Sequence, residues 1–176
     1  MIAVRRGFTI VELIITITIM GILLTLAVVN VSSTQTKARD EARKSDIESI
    51  ASNLESFYIS GTNNTTSFAR YPSVGLTGSV SNITSNLRDA NLDSFLPPGT
   101  SDVVATFLPS TNTGSSPSIQ TTSGVLPQPT VNQYIYQPIK SDGSVCGSGG
   151  IDCRKFNLFY RLESDNTVYR VTSKNQ

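Results

Sequence analysis

The feature that most limits how this chain can fold is the run from Phe8 to Val31, FTIVELIITITIMGILLTLAVVNV, dominated by apolar residues and holding one charge, Glu12. As a helix rising about 1.5 Å per residue it would be roughly 35 Å long, enough to cross a hydrocarbon core of about 30 Å. Ahead of it lies a short head, MIAVRRG, with adjacent positive charges at Arg5 and Arg6. Three readings compete for such an N-terminus: a cleaved secretory signal, a plain signal anchor, and a leader cut off ahead of a retained helix. A secretory signal has an apolar core of about 7–15 residues followed by a small-residue cleavage site. Here the run is longer and no such site follows it. The attractive cut lies before it, between Gly7 and Phe8, so the helix is expected to be retained. Arg5 and Arg6 should hold the N-terminus in the cytoplasm and send everything after Val31 outside.

Glu12 carries most of the functional information. A carboxylate near the edge of a bilayer span costs on the order of a few kcal/mol unless it is paired. One solution is to snorkel to the headgroups. The other uses the spacing. A cut before Phe8 creates an α-ammonium one helical turn from Glu12. In an assembly of parallel, staggered helices, the ammonium of one subunit can then neutralise the carboxylate of its neighbour. Such a buried pair fixes axial register as well as charge.

The stretch Arg6-Gly7-Phe8-Thr9-Ile10-Val11-Glu12-Leu13 resembles the processing and methylation signature of type IV pilins and pseudopilins. The resemblance covers residues 5 to about 30. It implies that residues 1–7 are a leader removed after Gly7 by a prepilin peptidase, and that Phe8 is then N-methylated. Glu12 falls on the family's assembly glutamate and Gly21 on a glycine within its helix. The implied partners are other pilin subunits in a helical homo-oligomer, an assembly platform protein and a cytoplasmic ATPase, with no cofactor. The chain departs from the pattern at Val29, where many members carry proline. Gly21, Thr25 and Asn30 are weaker helix breakers, so the loosening attributed to that proline is not carried over.

After Val31 the chain turns polar but keeps a helical period. Ile47, Ile50, Ala51, Leu54 and Tyr58 form one stripe. Asp40 and Lys44 make an i,i+4 pair in the favourable order, and Lys44 shares a face with Glu48. The mixed charges of Lys37–Glu48 read as a solvated face. Gly61 is a fitting C-terminal stop. One helix from Phe8 to about Ser60 is therefore expected, residues 8–31 as a transmembrane and assembly segment and 32–60 as the amphipathic helix of a head domain.

Residues 61–133 are rich in Ser, Thr, Asn and Gly, and no charge occurs from Val103 to Ile139. All but one of the 8 prolines lie between Pro97 and Pro138. That density argues against long helices and central strands. The region reads as an ordered connection with one short helix near Asn86–Phe95. Residues 134–176 read as a sheet: Tyr134–Tyr136 ended by Pro138, an alternating strand carrying Phe156, Leu158, Tyr160 and Leu162 and interrupted by Phe159, a turn at Ser164–Asn166, and a return strand Val168–Thr172. The expected class is α+β, a long N-terminal helix packed against a small antiparallel C-terminal sheet, with the aromatic stripe as core. The pilin resemblance implies the same layout.

Cys146 and Cys153 bracket a Gly-rich loop. Two thiols without histidine cannot complete a zinc site, and an exported domain is oxidising, so a disulfide is expected. Asp142 and Asp152 nearby are too few carboxylates for a confident calcium site. The absence of histidine removes the commonest general base, no phosphate loop is present, and a net charge of +1 gives no bulk attraction to nucleic acid. Enzyme is thus the weakest class. Three readings remain: a pilin of a surface filament serving adhesion, motility or DNA uptake; a pseudopilin of a secretion or competence machine; and a monomeric membrane-anchored ectodomain that binds a ligand.

Overall fold

The computed structural model describes residues 7–61 and 68–175. Arg5 and Arg6, with residues 1–4 of the expected leader, lie outside the described residues. Helix α1 runs Ile10–Ser60. It stops where the sequence supplies Gly61, whose φ of 64° is left-handed backbone that a side chain would strain, and whose N–H reaches the Phe57 carbonyl at 2.7 Å. The chain divides into two compact units between Ala38 and Arg39.

The first unit is helical from Ile10 onward. Its large apolar side chains from Phe8 to Leu26 are exposed, Phe8 at 80% and Leu24 at 65%. Three threonines in that stretch donate their hydroxyls back to the helix: Thr16 to the Leu13 carbonyl, Thr18 to those of Ile14 and Ile15, and Thr25 to that of Ile22. Each of these three hydroxyls is satisfied within the helix, as a segment surrounded by lipid requires.

The second unit packs the rest of α1 against a four-stranded sheet. After α1 come two short helices, α2 (Val80–Asn86) and α3 (Val103–Thr106), then β1 (Phe107–Pro109), β2 (Tyr134–Lys140), β3 (Cys153–Arg161) and β4 (Val168–Thr172). The order across the sheet is β1-β2-β3-β4. Ile47, Ile50, Leu54 and Phe57 of α1 meet Phe107, Tyr134, Tyr136, Phe156, Leu158 and Tyr160 in the main core. The α+β layout expected from the sequence is present, and the aromatic stripe is core.

Several details differ from expectation. The sheet is mixed rather than purely antiparallel, because β1 joins β2 in parallel, pairing Phe107–Pro109 with Tyr134–Tyr136. β2 is therefore central, yet it continues through Pro138 instead of ending there. This is tolerated because β1 reaches only as far as Tyr136. The edge where Pro138 lacks an N–H is met by Cys146, whose N–H donates to the Pro138 carbonyl at 2.7 Å. Phe159, the residue that broke the alternation, is fully buried on the other face of the sheet with Val125 and Ile135. The uncharged connection covers that face, so β3 is apolar on both sides. Gly124 lets the connection fold tightly, since a Cβ there would stand 1.8 Å from the Ser118 carbonyl oxygen. The short helix is α2, ending at Asn86 rather than starting there. Leu87 and Phe95 are buried beyond it, and Leu92–Phe95 is a 3-10 turn.

Candidate processing and assembly segment

Gly7 and Phe8 precede the helix. Among the described residues, no atom outside Gly7 and its chain neighbours lies within 4 Å of where a Cβ on Gly7 would stand. Thr9 is the N-cap: its Oγ1 accepts the Glu12 N–H at 3.2 Å and its carbonyl accepts the Leu13 N–H at 3.2 Å. Glu12 thus sits three residues after the cap, the acidic residue of α1's first turn, where the helix dipole favours a negative charge. The T-x-x-E spacing of a capping box is written in Thr9–Glu12, a local signal separate from snorkelling or pairing between subunits. Gly21 lies within the helix with open space around it. Measured by length and composition, α1 is long and apolar enough to cross a membrane.

The head unit carries its charges differently. Asp40 does not pair with Lys44, as helical spacing suggested; Lys44 bonds Glu41 at 2.7 Å instead. Asp40 and Arg43 are buried, 3% and 1% exposed, so part of the expected solvated face is interior. Asp40 accepts the backbone N–H groups of Glu163 and Ser164 at 2.8 and 2.9 Å, and the Arg43 guanidinium at 2.9 Å. Arg43 also donates to the Val131 carbonyl at 2.8 Å, and Arg39 holds Glu163 through two bonds of 2.8 and 2.6 Å. This clamp seats the β3–β4 turn on α1. Burial alone would raise the Asp40 pKa, but the two N–H donors and Arg43 outweigh it and the net shift is downward. The Arg39 bond is the main cause that lowers Glu163. Asp46 goes the other way, raised chiefly by burial while it accepts the Tyr134 hydroxyl at 2.8 Å.

Cys146 and Cys153 form a disulfide. Their backbones hold a neighbouring segment as well: the Cys153 carbonyl accepts the Tyr71 N–H and the Cys146 carbonyl the Val74 N–H. Asp142 is engaged by Ser144, and Asp152 by Arg154 and Ser141. Among the described residues no group of three or more His, Cys, Asp and Glu stands together to hold a metal. Of the basic residues near the sheet, Arg154 donates to the Ala69 carbonyl, Arg161 to that of Pro129 and Arg170 to that of Gln120, so three of them tie loops to strands.

No curated protein and no solved structure matches the chain. Residues 2–28 match the family described as the prokaryotic N-terminal methylation motif, so the chain carries the type IV prepilin-like signature at the head of a helix long and apolar enough to cross a membrane.

Proposed function

We propose that the chain is a structural subunit of a type IV pilus-like filament, cut after Gly7, methylated on Phe8 and assembled through the apolar half of α1. One observation carries this reading: the methylation motif stands at the head of a helix whose large apolar side chains from Phe8 to Leu26 are exposed. Lipid can cover such a surface before assembly, and parallel copies of the same helix can cover it afterwards. Glu12 is the assembly residue, its carboxylate neutralised by the Phe8 α-ammonium of a neighbouring subunit. Arg5 and Arg6 set the orientation with the N-terminus inside. The partners on this reading are a prepilin peptidase, a platform protein, an assembly ATPase and other pilins. The filament would serve adhesion, motility or DNA uptake from the cell surface.

Mass spectrometry of the N-terminal peptide, from sheared surface material and from membranes separately, tests the proposal. A methylated Phe8 start in the sheared fraction is the expected result. A methylated Phe8 start confined to membranes would replace the surface pilin by a pseudopilin of a secretion or competence machine. An uncut Met1 start would leave a monomeric anchored ectodomain.

A further inference from the structure

We infer that Thr9 is a positioning residue for leader removal: by capping α1 it keeps the Gly7 carbonyl, the one a peptidase attacks, out of the helical hydrogen-bond ladder. The inference rests on the proposal that the chain is cut between Gly7 and Phe8. Hydrolysis there adds water across one amide, leaving a carboxylate on Gly7 and an α-ammonium on Phe8.

The argument concerns where a helix at a membrane edge stops. Its first N–H groups have no partner inside the helix, and they are costly wherever water is scarce, so the helix is under pressure to lengthen. Lengthening by one residue would hand the Glu12 N–H to the Phe8 carbonyl. Lengthening by two would hand the Val11 N–H to the Gly7 carbonyl, the scissile one. The Thr9 hydroxyl already holds the Glu12 N–H, which blocks the first of these steps. The helix accordingly begins at Ile10, and the Thr9 carbonyl accepts its first backbone bond, from Leu13. Gly7 adds its own resistance to helix. The result is a Gly7–Phe8 bond outside the helix, with no side chain of another described residue crowding Gly7 and with Phe8 exposed. Backbone N–H and C=O groups outside a helix are the ones a partner protein can pair with when it binds a peptide as an added strand.

The test uses the full-length chain in liposomes with a purified prepilin peptidase, following leader loss by mass spectrometry. Thr9→Val keeps the shape and removes the hydroxyl; its cleavage should slow roughly fivefold, the equilibrium change that follows loss of an N-cap. Thr9→Ser and Thr9→Asn, both good caps, should be cut at close to the wild-type rate, with membrane insertion the same in all variants. Wild-type cleavage of Thr9→Val would overturn the inference, and so would a Thr9→Asn chain as slow as Thr9→Val, because the peptidase would then be reading the side chain itself. A wild-type chain left uncut at Gly7 would sink the processing proposal and this inference with it, an outcome distinct from either variant result.

Discussion

Leu24 and Leu54 are the same residue type in the same helix, 65% and 0% exposed. Leu54 lies among Ile47, Ile50 and Phe57 in a core that the C-terminal sheet completes. Leu24 belongs to a stretch whose large apolar side chains are all exposed from Phe8 to Leu26. An apolar surface left uncovered by its own chain needs another solvent or another chain, whereas the head from Arg39 onward holds its own core. The division also sorts the charges. Glu12 stands alone in an apolar run, while Asp40 and Arg43 are buried with partners supplied by the chain itself.

The strongest way to break this comparison is at Glu12. Glu12→Val should insert in membranes normally and be almost absent from sheared filaments, scored by immunoblot of both fractions. Normal assembly would mean the apolar half needs no charge pairing. A matched pair of truncations comes next. Leu54→Ala should cost about 2–5 kcal/mol in denaturant unfolding of the full chain in micelles, because it leaves a cavity in a packed core. Leu24→Ala should shift the same transition by less than about 0.5 kcal/mol. Equal effects would show that the two halves are not independent.

Arg43→Ala leaves Asp40 buried without its guanidinium and should destabilise the head on the order of 3 kcal/mol in the same assay. Replacing Cys146 and Cys153 together by Ser should cost about 2–3 kcal/mol, from the freedom returned to a short loop in the unfolded chain. The smallest effect is one of pH. The Asp40 and Glu163 pKa values are depressed in the folded head, so their contribution is full above the ordinary carboxylate pKa and is lost as pH falls through the folded values. The Asp46 pKa is raised, so its contribution has the opposite sign and fades as pH rises from the ordinary value through the folded one. Asp40→Asn should therefore flatten the loss of stability below about pH 4, and Asp46→Asn should remove the stability gained on acidification just above about pH 4.

The legible parts were those written in neighbouring residues. Helix α1, its end at Gly61, the return strand Val168–Thr172 and the likeness to prepilins all follow from local period, a left-handed glycine and a contiguous motif. The misread parts needed residues far apart in the chain. Asp40 looked solvated because its partners, the N–H groups of Glu163 and Ser164, lie on the β3–β4 turn. Pro138 looked like a strand end because nothing local shows that β1 stops two residues short of it or that Cys146 meets its carbonyl. Phe159 looked like a break in the pattern because the cover over the second sheet face comes from a connection that has no period of its own.

By itself the sequence determined that this chain has an apolar helix too long to be an ordinary signal core, a methylation motif at its head and an amphipathic continuation, because hydropathy, period and motif are properties of adjacent residues. Only the tertiary structure decided which charges are interior, which strand is central and which face of the sheet is covered. Burial and pairing are set by residues that meet only when the chain has folded.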